Sequence, residues 1–373
     1  MNIVIAPDSY KGSLSAIEVA TIIKEAIQEI ADDQIIIKPM ADGGEGTIEA
    51  ILSSTDGTAV HLQTSGPLGM PVDTYYAIID GNTAIIETAL HAGITQLSDN
   101  ERNPDNTTTY GIGEAINDAV SKGCQSIIVG LGGSATNDGG LGMMLALGMR
   151  AYDKHHNELG PFGRDLLMLD SIDMSGLNPK IKNLEIKIAC DVDNPLCGQR
   201  GASVVYGPQK GATDSQISTY DKALGKYADL VESEFNAFLR NVPGAGAAGG
   251  LGFAFLALGG QLESGAKLIA STTKLEEALK NADMVITGEG KSDEQTLYGK
   301  APSFVADMAN HLKIPAILLS GSLGGNTDML RGKFAGCFSI INKPLLLSEC
   351  MEESKELLRS QTKQIRTLIQ HFQ

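Results

Sequence analysis

The amino-acid sequence predicts an α/β protein of two domains. One is a parallel-sheet domain split in the sequence, 1–60 plus 275–373; the other, 61–274, is an inserted α/β domain with antiparallel hairpins. Three observations predict this. Strand and helix patterns alternate through the first 60 residues. Short alternating strands with turn signals follow over 61–88. The strand–helix rhythm then returns from Leu275. At 373 residues the chain is long enough for two or three domains and a large core.

Residues 2–5 read as a short apolar strand, followed by a loop over 7–15. Apolar residues at 19, 22, 23, 26, 27 and 30 recur at helical spacing and predict a helix over 16–30. Ser15, with Glu18 three residues on, forms a capping-box pattern at its start. Ile35-Ile36-Ile37 is the next strand, then the loop PMADGGEG and a helix from Thr47. From 61 to 88 the punctuation is Gly66-Pro67, Gly69-Met70-Pro71 and Asp80-Gly81-Asn82, which predicts antiparallel hairpins. The apolar run 126–129 precedes GLGGSATNDGG (130–140) and a helix-like stretch, 141–149. LEIKIA (184–189) reads as a strand, and 251–258 as a helix after the glycine-rich 243–250. The closing rhythm is helix LEEALKNA, strand 284–287, loop GEGKSDEQTLYGK, helix from Pro302, strand 317–320 and a last strand–helix pair.

Composition excludes several functions. The chain is 42% hydrophobic and 20% charged, as soluble globular proteins are. Its start lacks a basic, apolar leader, and no apolar run approaches the ~20 residues that span a bilayer. The five cysteines have no metal-type spacing, which suits reduced thiols in a cytoplasm. A formal charge of −16 argues against nucleic acid as a partner. It leaves room for anionic small substrates, because a few local cations and backbone amides reverse the field inside one cleft.

Four loops fall at the C-terminal ends of expected strands, where open α/β sheets bind ligands. The loop 6–16 offers Asp8 and Lys11, and 39–47 offers Asp42 and Glu45. Asp191 and Asp193 come from 189–202; Glu289, Lys291 and Asp293 come from 287–296. Asp, Gly and Ser also build plain turns, so each loop taken alone is ambiguous. The stretch 130–140 matches a dinucleotide fingerprint at Gly130, Gly132 and Ala135, with Asp153 near the spacing of a ribose-binding acid. That supports an NAD-dependent 2-hydroxy-acid dehydrogenase as one reading. The helix-breaking TNDGG opposes it and suits phosphates better: amides for the oxygens, and a carboxylate, Asp138, for a metal. The loop 243–250 offers a second glycine-rich approach, or a flexible connector. There is no Walker-type P-loop, and His155-His156 has no partners at metal spacing. A receptor for sugar acids is a third reading, resting on the two-domain organisation.

In order along the chain stand APDSYKGSLSA, PMADGGEGT, GLGGSATNDGG, DVDNPLCGQRGA, YGPQKGA, PGAGAAGGLG and ITGEGKSDEQTLYGKAP. With these long motifs over almost its whole length, the chain resembles the bacterial glycerate kinase family; a visible departure is Tyr10, where the family commonly has Phe. The resemblance implies a flavodoxin-like split domain and ATP-dependent phosphorylation of D-glycerate. The expected acceptor is the 2-hydroxyl, with 3-phosphoglycerate as the alternative product. ATP, Mg²⁺ and D-glycerate are the expected ligands, and monomer or homodimer the expected state. Chemistry and position then allocate roles. Asp191 is the expected base, with Asp8, Asp42 and Glu45 for Mg²⁺ or substrate hydroxyls. Lys11, Arg200 and Lys300 are expected to neutralise the glycerate carboxylate or phosphates. Gly132, Gly133, Ser134, Thr136, Asn137, Gly246 and Gly249 are expected at the nucleotide phosphates, with Glu289 and Asp293 beside them. Asp138 and Asp42 are the metal candidates.

Overall fold

The apolar runs become two sheets in a computed structural model that describes residues 1–372. The chain folds as two units: Met1–Asp42 with Glu49–Thr55 and Ser264–Gln373, and Gly43–Ile48 with Asp56–Glu263.

In the first unit five parallel strands lie in the spatial order Gln34–Ile37, Asn2–Ile5, Met284–Thr287, Ala316–Ser320, Gly336–Ser339. Numbered along the chain this is 2-1-3-4-5, the doubly wound flavodoxin order, whose direction reverses between Asn2–Ile5 and Met284–Thr287. The helix Ala16–Gln28 starts on the expected box: Ser15 Oγ accepts from the Glu18 N–H, and the Glu18 carboxylate accepts from the Ser15 N–H. It packs on the long C-terminal helix Ser354–Gln370. Ile3, Ile5, Val19, Ile23, Met284, Ile286, Leu319 and Leu358 make the core between them. That C-terminal helix also anchors the start of the chain. Buried Arg366 donates through Nε (2.5 Å) and Nη2 (3.0 Å) to Asp33, which also accepts from the terminal amine of Met1 at 2.8 Å.

The second unit holds a six-stranded mixed sheet ordered as the chain runs: Thr58–Ser65, Pro71–Ile79, Thr83–Glu87, Ser126–Gly130, Glu185–Ala189, Gln261–Glu263. The first three form the expected antiparallel meander, and the last three continue from it in parallel. Ile86, Ile112, Ile116, Val129, Met143, Met144, Ile188, Tyr227 and Phe253 fill its core. Two helices differ from expectation. The stretch after 140 is helical only over Leu141–Ala146, because Gly148 takes φ +109° and turns the chain away. The helix expected over 251–258 keeps its start at Leu251 but gains a kinked turn ahead of it from Ala247, where Ala248, Gly249 and Gly250 all have positive φ.

Candidate active site

In the first unit the parallel strands send their following loops off one edge. Two of these loops, after Asn2–Ile5 and Met284–Thr287, flank the point where strand order reverses, where such sheets bind ligands. The Asp8 N–H donates to the Gly288 carbonyl at 2.8 Å, joining the two loops. Gly288 must be glycine, because a Cβ there would lie 1.6 Å from the Leu319 carbonyl oxygen. The Tyr10 hydroxyl donates to the same carbonyl at 2.7 Å and fastens the first loop to the strand Ala316–Ser320, two places along the sheet.

Asp8 is 8% exposed. Burial pushes its carboxyl up to about 7, and the charges of Asp42 and Glu289 push the same way; the Ser9 N–H and the Lys11 ammonium oppose them. Lys11 Nζ donates to Asp42 Oδ2 at 2.8 Å. Burial weakens the Lys11 charge, yet Asp42, Asp8 and Glu289 outweigh it and raise its pKa. Glu289 is held on both oxygens. Oε1 accepts from Thr296 Oγ1 (2.6 Å) and Ser292 Oγ (3.1 Å), and Oε2 from Lys300 Nζ (3.1 Å). Asp293 caps the turn Glu294–Leu297 by accepting from the Gln295 N–H at 2.9 Å. The first unit thus gathers Asp8, Lys11, Asp42, Glu289 and Lys300, while Asp293 serves the backbone.

In the second unit three parallel strands end in register, Glu87 beside Gly130 and Gly130 beside Ala189. The loop 130–140 leaves from the middle strand. Gly133 is exposed, Gly132 half-buried, and Ser134 onward is buried. Asp138 is fully buried, with four hydrogen bonds to its carboxylate. Oδ2 accepts from Thr109 N–H (3.0 Å), Thr109 Oγ1 (2.8 Å) and Gly142 N–H (3.3 Å), and Oδ1 from Gly140 N–H (3.1 Å). Those donors fit a strut that fixes the turn rather than a ligand offered to a metal. Asn137 Nδ2 donates to Ser203 Oγ at 2.9 Å. Buried Lys210 donates to Ser134 Oγ at 2.8 Å and to the Thr136 carbonyl at 2.5 Å. Thr136 Oγ1, Asn137 Oδ1 and Thr88 Oγ1 are buried with no partner among the described residues.

The loop 243–250 packs directly on 136–139. A Cβ on Gly249 would stand 2.0 Å from the Thr136 carbonyl oxygen, and its own carbonyl accepts from the Gly139 N–H at 2.9 Å. Gly246 is likewise pressed on Pro195, where a Cβ would lie 2.2 Å from the carbonyl oxygen. Close backbone packing therefore requires both glycines without any ligand. Asp191 lies two residues beyond its strand, exposed and outside regular structure. Asp193 and Arg200, both exposed, pair with each other at 2.6 Å, and Glu45 is exposed.

Sequence reasoning missed Glu87, Thr88 and Lys210. Glu87 is 3% exposed and accepts from the Ile48 N–H at 2.5 Å. Its signal was present, an acid closing an apolar strand, but no glycine follows to mark a loop. Lys210 stands inside YGPQKGA, where no sequence pattern marks it as buried.

The dehydrogenase reading loses its geometry. The helix after the fingerprint begins at Leu141, and the strand Arg150–Tyr152 pairs antiparallel with Ser171–Asp173 in a separate ribbon. Asp153 closes a turn instead, accepting from the N–H groups of His155 and Asn157 at 2.8 Å. Among the described residues no three His, Cys, Asp or Glu side chains stand close enough to hold a metal, and no helix is long and apolar enough to cross a membrane.

A doubly wound sheet with an acid–lysine cluster at its switch point, and a glycine-rich loop after a parallel strand in a second unit, suit a small-molecule kinase. The chain belongs to the glycerate kinase family, whose family model matches residues 3–370. It is 47% identical over 326 residues to the glycerate 2-kinase of Escherichia coli K12, covering 87% of this chain and 86% of that one. To a glycerate kinase of Bacillus subtilis 168 it is 40% identical, over 98% and 97% of the two chains. A crystal structure from Salmonella typhimurium LT2, provisionally assigned as glycerate kinase 2, matches with a TM-score of 0.89 at 42% identity, over 100% of this chain and 98% of that one. The chain is therefore a kinase enzyme of this family.

Proposed function

We propose that the protein transfers the γ-phosphoryl group of ATP to the 2-hydroxyl of D-glycerate, giving 2-phosphoglycerate and ADP. The observation that carries this reading is buried Asp8 at the switch point, a carboxyl pushed up to about 7 among Asp42, Lys11 and Glu289. A base titrating near working pH can take the hydroxyl proton as the new O–P bond forms. This role passes to Asp8 from Asp191, which is exposed. Lys11 and Lys300 provide cations for the glycerate carboxylate. The name of the Escherichia coli relative supports the 2-hydroxyl over the 3-hydroxyl.

Exposed Gly133, half-buried Gly132 and the hydroxyls of Ser134 and Thr136 are the proposed nucleotide-phosphate contacts. We assign Asp138, Gly246 and Gly249 to shaping that loop, with Asn137 braced on Ser203. Mg²⁺ fits the first unit at Asp42, a carboxylate whose charge adds to the cost of ionising the neighbouring base Asp8 and which a divalent cation would neutralise. One or two carboxylates, with phosphate oxygens completing the shell, are what Mg²⁺ takes. When bound it neutralises charge on the transferring phosphates. Five free thiols suit a cytoplasmic setting.

The test is ADP release over a panel of small hydroxy acids with Mg·ATP. Release with D-glycerate above all others is expected; equal release without any acceptor contradicts the reading.

A further inference from the structure

We propose that Lys210 is a positioning residue for nucleotide phosphates. From beneath the loop 130–140 it occupies two of the loop's acceptors, Ser134 Oγ and the Thr136 carbonyl, so that the hydroxyls of Ser134 and Thr136 are left to donate to an anion. The inference rests on the reading of this loop as the phosphate site.

Lysine is almost never fully buried unless paired with an acid, yet Lys210 is 2% exposed and makes no ion pair among the described residues. Its Nζ is held by two neutral acceptors, Ser134 Oγ and the Thr136 carbonyl. Burial drives its pKa down to about 7, and Asp138 is the one acid that opposes this. Asp138 is already saturated by Thr109, Gly140 and Gly142, so its charge is largely committed to them. With so little negative charge around it, the buried amine is poorly stabilised as a cation, and an anion bound on the loop above it would favour its protonated form.

The hydrogen bonds have a direction. A serine hydroxyl carries one hydrogen. Since Ser134 Oγ accepts from Lys210, that hydrogen is left for another partner. The Thr136 carbonyl, an acceptor that would repel a phosphate, is engaged by the same ammonium. Independently, Thr136 Oγ1 is fully buried and unpartnered, a second hydroxyl whose donor is unused. The buried amine, the two acceptors it occupies and the idle hydroxyl donors favour an anion; Asn137 Oδ1 is an acceptor of the loop that Lys210 leaves unengaged. Lys210 itself reaches this place on the turn Pro208–Lys210, closed by Gly211 at φ +80°.

The test combines ADP titration calorimetry with steady-state kinetics on Lys210→Met, Ser134→Ala and the double variant. Lys210→Met is expected to weaken ADP binding and raise KM for ATP about tenfold or more, with KM for glycerate within about twofold. Ser134→Ala is expected to lose less, and to cost nothing further in the Lys210→Met background. Wild-type ADP affinity in Lys210→Met, or losses that multiply in the double variant, overturn the proposal. Should Lys210→Met fail to fold by circular dichroism, Ser134→Ala decides alone: reduced ADP affinity supports the proposal and unchanged affinity overturns it. ADP binding is read without any acceptor. Absence of glycerate-dependent turnover in the wild type would therefore refute the proposed function separately.

Discussion

At the scale of single residues, the chemistry turns on which acids are buried and what surrounds them. Asp8, Asp138 and Asp191 look alike in sequence, each an acid in a loop after a strand. Burial separates them: Asp191 is exposed, Asp138 is saturated by donors, and Asp8 is buried beside other carboxylates. Asp8→Asn is expected to lower kcat by about 10²-fold or more while leaving KM for ATP near wild type, measured by coupled ADP assay; wild-type turnover would remove Asp8 from the role of base. In the wild type, kcat/KM should rise with pH through about 7 as Asp8 loses its proton, and the variant should lose that limb. Stability should run the other way. The folded carboxyl holds its proton up to about 7 while the unfolded one releases it near 3.8, so stability falls as pH rises between those values. Asp8→Asn removes this loss, and thermal unfolding at pH 8 should show a higher Tm than wild type. An equal or lower Tm would contradict the desolvated carboxyl.

At the scale of elements, most of the fold was legible because local signals agreed with tertiary packing. The Ser15–Glu18 box starts its helix as read, and the turn dipeptides around 66–71 and 80–82 set the meander. What failed was local chemistry overridden by packing. The run 243–257 reads as a loop and then a helix, and regular helical backbone does run from Leu251, but the glycines before it, read as a ligand approach or a flexible connector, press against Thr136 and Pro195. No periodicity announces contacts between segments fifty or more residues apart. Ser15→Ala should cost about 1 kcal/mol in urea unfolding through the lost cap. Arg366→Met should cost more, about 3–5 kcal/mol, because it leaves Asp33 buried without its guanidinium. If Ser15→Ala costs as much as Arg366→Met, the anchoring of the C-terminal helix on the N-terminal strand has been overvalued.

At the scale of the whole molecule, a chain of formal charge −16 handles anionic substrates by local means: lysines set among acids in one unit, a buried lysine under a glycine loop in the other. The strand order 2-1-3-4-5 puts Asp8 and Glu289 on adjoining loops although 281 positions separate them in sequence (289 − 8). The alternation of strands and helices made that sheet foreseeable, whereas the acids' mutual influence depends on packing that sequence does not spell out. The central claim is transfer to the 2-hydroxyl of D-glycerate, and proton-coupled phosphorus NMR of the product tests it most directly. A phosphoryl group on C2 couples to one carbon-bound proton and gives a doublet, the predicted result; a triplet from the two protons of C3, or no new phosphate ester, would contradict the account.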